Sequence, residues 1–201
     1  MMLEPISRTI HDVFDITWPM LLISTIIIVV FRITYLIKNQ ERLILYEELL
    51  KLSFCLYILC LFQVVTFEYD VSWATNNFIP FKEILRYNIT SRLFFKNVLG
   101  NMILFLPFGF FTSYYLKVEK LKLPLVLTLV ASISIEVVQM CIGRVFDVDD
   151  IILNVIGGVL GFYLYNLLRI IVERLPRFCR SEWFLNIVSL VALISTVLII
   201  I

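Results

Sequence analysis

The side chains in this sequence that could do chemistry in an apolar setting occur as three spaced pairs. Asn97 and Asn101 are four apart, Glu136 and Gln139 three apart, and Asp150 and Asn154 four apart. Three- and four-residue spacings place both members on one face of a helix. Between the second and third pairs the chain reads GRVFDVDDIILN, which adds Arg144, Asp147, Asp149 and Asp150. Carboxylates so clustered can bind a divalent cation, work as an acid/base pair, or cap the helix that follows. The cap is the default reading, with Asp149 or Asp150 at the start of the next helix complementing its dipole. A cation site at Asp147, Asp149 and Asp150 is the lesser alternative, and no metal or other cofactor is expected. Glu136 is the candidate acid/base residue. It needs a buried donor, for which Arg144 and the amides of Asn101 and Asn154 are nearest. The other reading makes these groups an interhelical hydrogen-bond lock without chemistry. The sole histidine, His11, and four scattered cysteines, Cys55, Cys60, Cys141 and Cys179, form no triad, CxxC or zinc-ligand spacing.

The elements that must hold these pairs are legible in the composition. Of 201 residues, 61% are apolar and 16% charged, and the mean hydropathy is +0.96. A soluble core cannot hide that much apolar surface, whereas lipid accepts it on the outside of a helix bundle. The net charge of +1 gives no footprint for nucleic acid. Crossing the hydrocarbon takes about 20 apolar residues, and six runs qualify: Trp18–Ile37, Leu49–Phe67, Asn97–Leu116, Leu123–Ile142, Ile151–Val172 and Phe184–Ile201. The expected fold is an all-α, polytopic bundle of about six spans, one membrane domain over residues 1–201. The first run follows an acidic stretch and is too long for a cleavable signal. Pro107 and Gly109, in PFGF, predict a kink in the third run. Gly157, Gly158 and Gly161 include a GxxxG spacing, which lets another helix approach closely. Between the second and third runs, FIPFKEILRY and SRLFF mix basic and aromatic residues as an interfacial amphipathic helix would.

Alternate spans run in opposite directions, so the start of the third run, the end of the fourth and the start of the fifth reach the same leaflet. Charge asymmetry says which leaflet. One side receives Arg32, Lys38, Arg42, Lys51, Lys117, Lys120, Lys122, Arg169, Arg174, Arg177 and Arg180; the other receives only Arg8, Lys82, Arg86, Arg92, Lys96 and Arg144. The first is the cytoplasmic side, so both termini and the carboxylate loop are expected to be extracytoplasmic. Arg32 is expected to snorkel toward the cytoplasmic headgroups.

The segments NFIPFKEI, NVLGNMILFLPFGFF and SIEVVQMCIGRVFDVDDIILNVIGGVLG, in this order and spacing, resemble the successive motifs of the VanZ family. The resemblance covers roughly residues 49–169, leaving the run at 184–201 as an additional C-terminal span. It implies a multi-span bacterial membrane protein, of a family often linked to reduced susceptibility to teicoplanin-type lipoglycopeptides. By position, the family's Asn and PFG elements fall on Asn97, Asn101, Pro107, Phe108 and Gly109, and its Glu and Gln on Glu136 and Gln139. Its Arg, Asp, Asn and Gly elements fall on Arg144, Asp147, Asp150, Asn154, Gly157 and Gly161. Two function classes follow. One is a non-catalytic membrane factor at the outer leaflet, with membrane lipids and a lipoglycopeptide or lipid-linked wall precursor as partners. The other is an intramembrane enzyme acting on a lipid or polyprenyl-linked substrate, with Glu136 as acid/base. The absence of a nucleophile, phosphate loop or metal signature favours the first, and the absence of paired interrupted helices disfavours a transporter.

Overall fold

A computed structural model describes residues 4–67, 76–88, 91 and 93–200. The fold is all-α. Among the described residues, seven α-helices follow in order: α1 Glu4–Asn39, α2 Leu45–Phe67, α3 Lys82–Arg86, α4 Gly100–Leu116, α5 Lys122–Cys141, α6 Val148–Arg174 and α7 Glu182–Ile200. A π-helical turn at Phe94–Leu99 leads into α4, and a 3-10 turn at Arg177–Arg180 precedes α7. Among the described residues, five segments are long and apolar enough to cross a membrane: Thr17–Asn39, Leu45–Val65, Asn97–Leu116, Lys122–Cys141 and Val148–Arg174. A shorter apolar helical stretch covers Glu182–Thr196. The helix carrying the first apolar run begins well ahead of it, at Glu4.

Contacts divide the chain into two compact units, Met1–Val13 with Leu61–Arg169, and Phe14–Cys60 with Ile170–Ile201. In the first unit the usual polarity is inverted. The buried face of α5 is Pro124, Thr128, Ser132, Glu136 and Gln139, a mostly polar stripe recurring about once per helical turn. Outward, Ile103, Val130 and Tyr163 each expose more than half of their surface. Water would oppose that arrangement, while hydrocarbon favours it.

Small residues bring α4, α5 and α6 together. A Cβ placed on Gly157 would strike the carbonyl of Met102, and one on Gly161 the carbonyl of Leu106. Gly109 is as tightly opposed to the Gly158 backbone, and Gly158 to the Thr128 side chain. The GxxxG spacing thus serves close packing of α6 on α4, at distances only glycine permits. The helix α4 runs unbroken through Pro107, and a π turn at Phe94–Leu99 precedes it. At the end of α5, Gly143 adopts φ +85°. Its N–H reaches the Met140 carbonyl at 3.2 Å and the Arg144 N–H the Gln139 carbonyl at 2.9 Å. This doubly bonded left-handed stop requires glycine and aims the chain from Arg144 back across the helix ends.

In the second unit, Arg32 makes a two-pronged ion pair with Glu48, Nε to Oε2 at 2.7 Å and Nη2 to Oε1 at 3.0 Å. Lys51 Nζ joins the same carboxylate at 2.8 Å. Arg32 is thus a paired residue in this unit. Its planar fork is held by a carboxylate on the next helix, which neutralises the charge where it stands.

Candidate functional site

The site grows from the α5–α6 connection in the first unit. Asp147 precedes α6 and its Oδ1 accepts the Asp149 N–H at 2.9 Å, so Asp147 is the helix cap. This corrects the expectation for Asp149 and Asp150: a cap must sit just outside the first helical residue, and α6 begins at Val148. The same Asp147 oxygen accepts the Asn77 amide at 2.8 Å. Burial pushes the Asp147 carboxyl above the usual carboxylate range, helped by the charges of Asp149 and Glu83 and resisted by those two hydrogen bonds.

Asp149 serves a different helix. Its carboxylate, 1% exposed, accepts the backbone N–H groups of Phe81 at 2.5 Å, Glu83 at 2.7 Å and Ile84 at 3.1 Å. These are the orphan donors of α3, which has no side-chain cap of its own. Asn77 completes the junction by backbone pairing, its N–H to the Phe146 carbonyl at 2.8 Å and its carbonyl to the Val148 N–H at 3.0 Å. The rings of Phe78 and Phe146 stack at 5.2 Å. Residues 76–88 thus form a strap around a five-residue helix, shorter than the single amphipathic helix suggested by its composition. Residues 68–75, 89–90 and Arg92 lie outside the described residues, as do the side chains of Lys96 and His11.

Beneath the strap lies Glu136, 1% exposed, with Oε2 accepting the Asp147 N–H at 2.9 Å. Asn101 donates to Asp150 at 2.5 Å. Glu136 feels the charge of Asp147, and Asp150 those of Glu136, Asp147 and Asp149, each opposed by Arg144. Arg144 Nη1 also donates to the Val65 carbonyl at 2.6 Å, and Gln139 Nε2 to the same oxygen at 3.3 Å. Deeper in the helices, Asn154 donates to Ser132 Oγ at 2.9 Å.

The structure therefore brings Glu136, Arg144, Asp147, Asp149 and Asp150 together with Asn101, but distributes their hydrogen bonds differently from the expectation. Glu136 takes a backbone N–H rather than the Asn101 or Asn154 amide. Asn97 is turned to the Tyr87 hydroxyl at 2.8 Å. Three contributors were missed: Asn77, Tyr87 and Ser132. Asn77 heads the NFIPFKEI motif, so a signal existed for it; Ser132 lies four residues before Glu136 on the same helix face. No cluster of three or more His, Cys, Asp or Glu with metal-holding geometry occurs among the described residues. Asp147 Oδ1, both oxygens of Asp149 and Asp150 Oδ1 accept protein donors.

The sequence profile of VanZ/LLP1 matches residues 54–169, more than half of the chain and the whole of this site. The chain belongs to the VanZ/LLP1 family. A relative in that family, Protein VanZ of Enterococcus faecium, is 29% identical over 116 residues, covering 56% of this chain and 70% of the relative. No solved structure matches the chain significantly. The family match spans the PFG helix, the Glu136 stripe, the capped loop and the glycine face of α6. The region characteristic of the family thus holds nearly all of the buried polar residues, Thr17 apart.

Proposed function

We propose that this chain is a multi-pass protein of the bacterial cell membrane that lowers sensitivity to teicoplanin-type lipoglycopeptides from the extracytoplasmic leaflet. In this reading the carboxylate loop Arg144–Asp150 is extracytoplasmic, Lys117–Lys122 and Glu173–Glu182 are cytoplasmic, and both termini are extracytoplasmic. The excess of lysine and arginine on the opposite side supports that orientation. The observation that carries the reading is the buried Glu136, with the half-buried Arg144 and Asp150 close enough for their charges to act on one another, at the end of the family-matched spans. A buried ionisable cluster at a span end is a functional feature by default, because lipid penalises it. Drugs of this class join a peptide head to an acyl chain, and a polar cluster at the outer leaflet meets both parts. Membrane lipids and either the lipoglycopeptide or a lipid-linked wall precursor are the partners. A second reading, acid/base catalysis on a lipid or polyprenyl-linked substrate, is favoured by one feature: the Asp150 carboxyl feels the charge of Glu136 and the opposing charge of Arg144.

Expression in a susceptible host tests both. Sensitivity is measured for teicoplanin and for a glycopeptide lacking the acyl chain, with an immunoblot of the membrane fraction. Protection against the acylated drug is expected with the wild-type protein and lost in Glu136→Gln at unchanged abundance. A silent Glu136→Gln with reduced abundance of Glu136→Leu would mean that the cluster only locks the helices. Equal sensitivity with and without the protein, at verified expression, overturns the resistance reading. Single cysteines at Lys120 and Val148, in a background without the native four, are labelled on intact cells with an impermeant maleimide; labelling at 120 but not 148 overturns the orientation.

A further inference from the structure

Residues 78–86 have two opposed faces. The inner face is made of backbone: the N–H groups of Phe81, Glu83 and Ile84 are gathered by Asp149, and the adjoining Asn77 is paired to Phe146 and Val148. The outer face is apolar, with Phe78 66%, Ile79 63%, Phe81 52% and Leu85 81% exposed. Four large apolar side chains presented within eight residues form a patch that water does not favour. Lys82 and Arg86 are exposed beside them, and Arg86 keeps a 3.2 Å ion pair with Glu83. The strap is fastened to the first turn of α6, where the candidate span Val148–Arg174 begins. That places its outward face at the level where the hydrocarbon gives way to headgroups. Leu93 and Phe95, ahead of α4, are exposed as well.

We propose that residues 78–86 are a lipid-inserted strap: Phe78, Ile79, Phe81 and Leu85 enter the headgroup–acyl boundary, and Asp149 is the positioning residue that ties the strap to the carboxylate cluster. The partner is the lipid surface itself. Apolar side chains gain from the acyl boundary while Lys82 and Arg86 reach the phosphates, the division of labour of an interfacial element. Backbone donors are the weak point of any non-helical segment at that depth, because lipid offers them no acceptor. Asp149 supplies that acceptor three times over, so the strap can lie in the boundary with its amides satisfied from within. The inference rests on the membrane-spanning reading and is independent of any drug.

The test uses the full chain in phospholipid nanodiscs, with Trp18, Trp73 and Trp183 replaced by Phe and a single Leu85→Trp substitution. Bromine high on the acyl chain should remove most of the tryptophan emission, bromine near the chain end much less, and aqueous acrylamide little. Emission open to acrylamide and insensitive to bromolipid would place the strap in water and overturn the proposal. So would emission insensitive to both quenchers that shifts to the red on dilution into excess lipid, which would mean that a second copy covers the face. Asp149→Asn keeps the shape but replaces an accepting oxygen with a donor facing the α3 N–H groups. It should reduce quenching by the shallow bromolipid and increase quenching by acrylamide. An unchanged profile, with the protein folded, would overturn the positioning role.

Discussion

Glu136 and Asp147 are coupled through one backbone bond: the N–H that satisfies Glu136 belongs to the residue that caps α6. Titrating or replacing Asp147 therefore acts on both the cap and the site. Because burial raises the Asp147 carboxyl above its unfolded value, the folded state binds its proton more tightly than the unfolded chain does. The stability contribution is complete at low pH and lost as pH rises through the folded value. Asp147→Asn keeps an oxygen for the Asp149 N–H and Asn77 amide but does not titrate. Its melting temperature in detergent should gain on wild type as pH rises from about 4 toward neutrality; parallel profiles would refute the assignment. Asp149→Ala should cost more, about 3 kcal/mol, since it strands three buried backbone donors. The sequence was informative here about which residues gather, because helix spacing and span direction set depth. It was silent on who bonds whom. That depends on Asn77 crossing from a loop roughly seventy residues away, which no local periodicity encodes.

At the scale of the elements, the glycine face of α6 and the turn at Gly143 make opposite demands. Gly157 and Gly161 need the absence of a side chain, for the backbone of α4 occupies that space. Gly143 needs only its left-handed conformation, since an added Cβ there meets nothing within 4 Å. Gly157→Val and Gly161→Val should each cost more than the roughly 1–3 kcal/mol typical of overpacking, because backbone cannot step aside as a side chain does. Gly143→Ala should cost about 1–2 kcal/mol, the penalty for that conformation. Thermal unfolding and the folded fraction on size-exclusion chromatography check the order; equal losses at 143 and 157 would contradict it. The glycine spacing was readable in the sequence, while its partner face was not, because close approach depends on how two helices cross. The π turn at Phe94–Leu99 had no signal of its own. Proline deprives a helix of one N–H, a loss an otherwise intact helix can absorb.

Across the whole molecule, polar groups and family signature coincide. The profile match at 54–169 covers the whole Leu61–Arg169 part of the first unit, which also includes Met1–Val13. Composition alone made the bundle legible, since a chain this apolar has few soluble solutions, but how its helices group by packing does not follow from composition. The second unit carries its own polar device, the Arg32–Glu48–Lys51 network, in which Arg32 and Glu48 lie in the first two candidate spans. A device that neutralises charge within an apolar helix acts on stability rather than on the site. Arg32→Met leaves Glu48 with Lys51 alone and should lower stability by about 2 kcal/mol, the scale of a hydrogen bond to a charged group. Adding Glu48→Met removes the stranded carboxylate and should recover most of the loss, as replacing an ion pair by apolar side chains commonly does. Neither variant should change drug protection once abundance is matched, whereas Glu136→Gln should abolish protection with little change in melting temperature. Loss of protection in the Arg32→Met, Glu48→Met double variant at full abundance would show that the second unit takes part in function and that the site extends beyond the family-matched region.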